Sequence, residues 1–190
     1  MGAGDDCERV EVRARADLRD WLEKHHEQDA SVWLVTWKKG TDHYVPFPEY
    51  VQELLCWGWI DSVPRKVDDN RTSTLISKRN PKSAWSGVNK RLVDAARASG
   101  AMTPAGEAAI DRAKANGMWT FLDDVEALKV PDDLAASLGD ARATWDAWSP
   151  SNRRAWLEQI KMAKTQVTRT KRIAKCVSAA RDKKKYAGLR

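Results

Sequence analysis

The sequence predicts an α+β protein, in which a small antiparallel sheet is covered by helices and followed by a basic helical C-terminal segment. Three observations predict it. Ser31–Lys38 is a β-branched and aromatic run, and further β-type segments lie between 59 and 77, bounded by turn residues. Apolar residues recur at spacings of three and four on both sides of that region. After Pro131 the pattern is helical throughout, and the charge changes sign: from Ser151 onward 13 Lys and Arg face 2 acids, whereas the first 150 residues carry 20 against 25.

The elements follow in order. Residues 1–14 are polar and are read as a flexible N-terminus. Asp17 can cap a helix that runs to about Gln28, with Leu18, Trp21, Leu22 and His25 on one face. The strand at 31–38 ends in the turn Lys39-Gly40-Thr41-Asp42. Pro46 and Pro48 suit a helix start, Phe47, Val51, Leu54 and Leu55 form its buried stripe, and Gly58 ends it. Trp59–Ser62, Arg65–Asp68 and Ser73–Ser77 read as strands, the last two joined at Asp68-Asp69-Asn70. Ser83 is placed to cap a helix carrying Trp85, Val88, Leu92 and Ala95 and ending at Gly100; Thr103-Pro104 opens the next. Residues 119–131 connect.

Beyond the connector, 132–138 and 141–148 read as short helices. Ser149-Pro150 begins a longer one whose stripe is Trp156, Ile160, Ala163 and Val167, and from Thr168 a further segment buries Ile173, Cys176, Val177 and Ala180. The chain thus divides into an α+β domain at 15–130 that carries the candidate site, a helical region at 131–182 packed on it, and a basic tail at 183–190. No apolar run approaches the roughly 18 residues of a membrane span. Cys7, Cys56 and Cys176 are odd in number and scattered, which fits a reducing compartment and offers no metal-ligand spacing. Neither a metal nor a cofactor is expected, and the expected location is the cytoplasm.

The candidate site lies between Gly58 and Asn89, where an acid, cations and tryptophans are concentrated. A Ser83 helix start beside Lys78, Arg79 and Lys82 would present free backbone N–H groups and positive charge to an anion. Arg79 would be the bidentate clamp. Trp85 and Asn89, four residues apart, would share a helix face turned toward Asp61. The ligand-binding set is therefore Asp61, Arg79, Ser83, Trp85 and Asn89 with Trp59 and Lys78 as neighbours, and the ligand a small anionic or aromatic molecule. The purely structural alternative pairs Asp61 with Arg79 and uses Asn89 to satisfy backbone groups.

Two other functions compete. Asp61 could act as a general acid or base in the same pocket. Cys56 is a small buried hydrophobe in this reading, and His25, His26 and His43 are scaffold or solvent-facing residues. The basic C-terminal helices could instead contact a nucleic-acid backbone through Arg153, Arg154, Lys164, Arg169, Arg172 and Lys175, although no nucleic-acid motif accompanies them.

Leu55-Cys56-Trp57-Gly58-Trp59-Ile60-Asp61-Ser62, followed by Arg79-x-Pro81-x-Ser83-x-Trp85-Ser86-x-x-Asn89, resembles the YdeI/OmpD-associated proteins, also called the bacteriocin-protection family. Gly100-x-Met102-x-x-x-Gly106 and Lys161-x-Ala163-Lys164-x-x-x-Thr168-Arg169-x-x-Arg172-Ile173 extend the resemblance, which spans roughly residues 17 to 185. Lys78 stands where the family usually has Pro. The resemblance implies a bacterial, cytosolic protein with a site in this region and a role in toxin or stress resistance; it implies no catalytic residue.

Overall fold

A computed structural model describes residues 6–188. The chain forms two compact units, Met1–Phe121 and Leu122–Arg190.

The first unit is built on a four-stranded sheet of order β1-β2-β4-β3, with β1 Arg9–Glu11, β2 Val32–Trp37, β3 Trp59–Lys66 and β4 Arg71–Lys78. The sheet is mixed. β2, β4 and β3 are antiparallel, but β1 lies parallel to β2 with Arg9 opposite Trp33. This strand falls inside the stretch expected to be flexible. It is held because Val12 is buried in the core and its N–H donates to the Val35 carbonyl at 3.1 Å, while Trp33 N–H donates to Glu8 O at 2.8 Å. The two segments expected at 59–62 and 65–68 are one edge strand with a register shift between Asp61 and Pro64. Pro64 has no N–H to give the ladder, which is tolerated at an edge and locally disrupts pairing.

The helices of this unit are α1 Arg15–His25, α2 Phe47–Cys56, α3 Gly87–Ala98 and α4 Pro104–Ala115. Leu18 and Leu22 of α1 and Tyr50 and Leu54 of α2 pack with Val32, Leu34, Trp59 and Ile76 of the sheet. A second cluster joins Leu55, Trp85, Val93, Ile110 and Ala113. Asp17 sits within the first turn of α1 rather than at its cap, and its carboxylate accepts the N–H groups of Arg13 and Ala14.

Two glycines let α4 approach the end of α2. A Cβ on Gly106 would lie 2.3 Å from the Cys56 carbonyl oxygen, and Gly58, at φ +73°, turns the chain from α2 into β3. Thr103 closes the contact: its hydroxyl donates to Cys56 O at 2.6 Å and accepts the Gly106 N–H as the cap of α4. Glu53 of α2, only 1% exposed, receives Arg15 Nε at 2.9 Å, Arg19 Nη1 at 2.7 Å and Trp57 Nε1 at 3.3 Å. A buried carboxylate needs such a set to offset the loss of water.

The second unit is helical: α5 Asp123–Glu126, α6 Asp132–Leu138, α7 Arg142–Ala147, α8 Pro150–Lys161 and α9 Gln166–Arg181, with a 3-10 turn at Gly139–Ala141. Ser149 caps α8 and Thr165 caps α9. Ile173, Cys176, Val177 and Ala180 are buried, as the sequence predicts. Val167 is not; it is 65% exposed, because α8 ends at Lys161 and the break before α9 interrupts the 3.6-residue period that had linked it to Trp156. Arg169 and Arg172 tie the unit together. Arg169 donates to both carboxylate oxygens of Asp133, at 2.6 and 2.9 Å, and to Ile160 O at 3.3 Å; Arg172 donates to Gln159 O. Among the described residues no helix is long and apolar enough to cross a membrane.

Candidate functional site

The site is organised around the loop that joins β4 to α3. Asn80 opens it: its carboxamide oxygen accepts Lys82 N–H at 2.8 Å and its carbonyl accepts Ser83 N–H at 2.9 Å. Those bonds place Ser83 in a turn, so it does not cap α3 as expected. Ser86 caps it, accepting Asn89 N–H on its hydroxyl at 3.3 Å. The far side of the loop is moored to the end of α4, where Asn116 Nδ2 donates to Pro81 O at 2.8 Å and Trp85 N–H donates to Met118 O at 3.1 Å.

Arg79 is the central residue. Its backbone N–H donates to Gly58 O at 2.9 Å, which anchors it to the turn after α2. Its side chain runs inward: the residue is 6% exposed, and the guanidinium carbon lies 3.9 Å from the centre of the Trp85 ring. Trp85 is buried in turn, with Trp119 packed beside it at 5.1 Å between ring centres. Arg79 Nη2 donates to Ala84 O at 2.6 Å, but Nε and Nη1 have no partner among the described residues. Buried polar groups are almost always paired, and an unpaired buried cation costs several kcal/mol. Burial pushes the guanidinium down to about 10 from 12.5, with the charge of Asp61 opposing that fall. The shift corresponds to a penalty on the order of 3 kcal/mol against the charged form.

Every two-pronged edge of a guanidinium includes Nη2. The Ala84 carbonyl takes one of the two Nη2 hydrogens, so one complete fork and two further N–H hydrogens remain unpartnered. Arg79 lines a recess of about 10 Å³ together with Asn80, Pro81, Trp85, Ala109 and Arg112 among others. That volume holds one water or one oxygen of an oxyanion.

Arg112 of α4 also lines a neighbouring groove of about 400 Å³, with His26, Trp57, Lys78, Ala105 and Ala108. The rings of His26 and Trp57 lie 4.8 Å apart at 43°. His26 Nδ1 donates to Leu22 O at 3.1 Å, which leaves Nε2 as the acceptor of the neutral ring. Lys78 Nζ donates to Glu27 O at 2.7 Å and lies 3.3 Å from Asp29.

The structure therefore brings together Arg79 and Trp85, with Lys78 at the adjoining groove. It separates the others. Trp59 is fully buried in the sheet core, where Nε1 donates to His26 O at 2.9 Å. Asp61 is half-buried on β3 opposite Ile76; it reaches Arg79 through its field and makes no ion pair with it, so neither the structural pair nor a place in the recess describes it. Ser83 belongs to the turn, and Asn89 enters through its backbone bond to the α3 cap. Cys56 is fully buried and burial pushes its thiol up to about 11, away from the thiolate a nucleophile requires. Among the described residues no group of three or more His, Cys, Asp or Glu is placed to hold a metal ion.

Arg112 is absent from the set expected from the sequence, and His26, read there as a scaffold or solvent-facing residue, lines the groove. The signal for Arg112 was the run of short side chains before it on α4, Ala105, Gly106, Ala108 and Ala109, which marks a helix with room beside it.

The basic residues of the second unit are differently placed. Arg169 and Arg172 are bonded within the unit, Arg154 lies 3.9 Å from Glu126, and Arg153 has its Nε buried. Lys164 and Lys175 are exposed. A depression of about 340 Å³ in this unit is bordered by Lys161 and Arg169, which already face Asp124 and Asp133.

Residues 10–109 match the model of a domain of unknown function, DUF8412, and residues 127–183 match the model described as bacteriocin-protection, YdeI or OmpD-associated. The stretch from Leu55 to Asn89 lies within the first match, and the Lys161–Ile173 motif within the second. No curated protein and no solved structure matches the chain. The chain thus belongs to the DUF8412 family through its sheet-bearing unit, and its helical unit carries the bacteriocin-protection, YdeI or OmpD-associated region.

Proposed function

We propose that the protein binds a small organic anion through Arg79. The observation that carries this reading is a guanidinium, 6% exposed, with two of its three nitrogens unpartnered beside a recess that admits one ligand oxygen. An anion there would restore the missing hydrogen bonds, neutralise a buried charge and leave the Trp85 contact in place. Trp85 packs against the cation at 3.9 Å and holds the guanidinium beside the recess that both residues line.

Binding is the activity this geometry supports. Asp61 does not line the recess, and the basic residues of the second unit that are bonded internally are occupied in holding helices. The name of the family matched by residues 127–183 suggests protection against a toxic agent, and capture of an anionic molecule is a chemistry by which a protein could protect. We place the protein in the cytoplasm on its three free cysteines, two of them buried.

The test is a thermal-shift series of the full chain and Arg79→Met against phosphate, sulfate, carboxylates and organic phosphates. Ligands that bind the native state raise its melting temperature by mass action. A rise with an anionic class that is absent in Arg79→Met supports the proposal; equal rises in both proteins, or none with any anion, would sink it.

A further inference from the structure

We infer that the ligand is an aromatic phosphate ester, whose phosphoryl group is held between Arg79 and Arg112 and whose ring lies in the groove next to Lys78. This inference rests on the Arg79 reading and deepens it.

The charge of the site selects the head group. Of the described residues lining the recess and the groove, Arg79, Arg112 and Lys78 are cationic and Glu27 is the one carboxylate. Lys78 is offset by Asp29 at 3.3 Å, so the attraction for an anion rests on the two guanidinium groups. Shape then separates a phosphoryl group from a carboxylate. A carboxylate spends both oxygens on one guanidinium fork. A phosphoryl group has three diverging oxygens, so that one can enter the Arg79 recess while another faces Arg112, which borders both spaces. Arg112 makes the two spaces one site.

The groove selects the rest of the molecule. Its volume of about 400 Å³ falls within the range of small-ligand sites, which combine apolar walls with a few convergent polar groups. The His26 and Trp57 rings form part of the wall, and Ala105 and Ala108 contribute only methyl groups, which leaves space for a flat ring against them. Lys78 is held toward Glu27 and Asp29 by its own bonds, so it sets the field of the groove without filling it.

Isothermal titration of the full chain with inorganic phosphate, phenyl phosphate and benzoate tests the inference. Phenyl phosphate is expected to bind at least tenfold more tightly than either of the others, and Arg112→Ala to weaken both phosphates by tenfold or more. Ala108→Leu, on an exposed helix position, should fill the groove and bring phenyl phosphate down to the affinity of inorganic phosphate. If phenyl phosphate gains nothing over inorganic phosphate, or benzoate equals it, while Arg79→Met still abolishes binding, the inference falls and the Arg79 site stands. Failure of all three probes to bind overturns both.

Discussion

The guanidinium carbon of Arg79 lies 3.9 Å above the centre of the Trp85 ring, inside the protein, with no carboxylate bonded to it. A stacked arginine whose role is architectural would have its nitrogens satisfied, as Arg169 has on Asp133 and Ile160. The contrast separates a tie from a site.

It leads to a stability prediction. Arg79→Met keeps the length of the side chain and removes the charge. The relief of about 3 kcal/mol of burial penalty is set against the loss of about 0.5–2 kcal/mol of cation–π attraction and of the bond to Ala84 O. The variant should be within about 1 kcal/mol of the parent, or more stable, in urea unfolding without ligand. A loss of 3 kcal/mol or more would make Arg79 a structural residue.

Glu53 provides the opposite case. Its carboxylate is buried and bonded to two arginines and an indole. Glu53→Gln leaves those donors facing a weaker acceptor, and the arginines are partly exposed and can find water. A destabilisation of about 2–3 kcal/mol is expected, below the roughly 3–5 kcal/mol of a fully buried broken pair. Chemical denaturation measures it.

Gly106→Ala should be costly although it improves helix propensity. The propensity gain is about 1 kcal/mol, whereas the new Cβ would meet the Cys56 carbonyl at 2.3 Å and force α4 off α2. Overpacking of this kind costs about 1–3 kcal/mol or more, so the net effect is a lower melting temperature. Because α4 carries Arg112, anion binding should weaken in the same variant at temperatures where it remains folded.

Acid sensitivity has a defined source in the second unit. The Arg169 side chain, bonded to both carboxylate oxygens, holds Asp133 below its ordinary value of 3.8, and burial opposes it. A carboxylate with a depressed folded pKa contributes stability that is present above its unfolded value and lost as pH falls through the folded one. The stability difference between pH 7 and pH 3 should therefore be smaller in Asp133→Asn than in the parent. Tryptophan fluorescence during acid titration checks it, since Trp145, Trp148 and Trp156 lie in this unit.

Much of this fold was legible because local chemistry and burial agree. The Ile173, Cys176, Val177 and Ala180 stripe, the Thr103-Pro104 and Ser149-Pro150 helix starts, and the strand at 32–37 all appear where pattern placed them. Errors arose where two local signals compete. Ser83 and Ser86 are equally good caps by composition, and the Asn80 side chain decides between them by bonding Lys82 into a turn. The parallel strand at Arg9–Glu11 is too short for a periodic signal and exists through pairing with β2. At the site, Arg79 and Trp85 were visible as neighbours in one motif. Arg112 was not, since only the close approach of α4 at Gly106 and the Asn116 bond to Pro81 bring it there.

The most direct measurement is the Arg79 Nε–H resonance in a proton–nitrogen correlation spectrum, followed during titration with phenyl phosphate and assigned by its absence in Arg79→Met. The account predicts a single saturable shift of that resonance, with the same midpoint as the heat of binding. A resonance that stays in place while ligand binds, or throughout a titration with no binding, would contradict it.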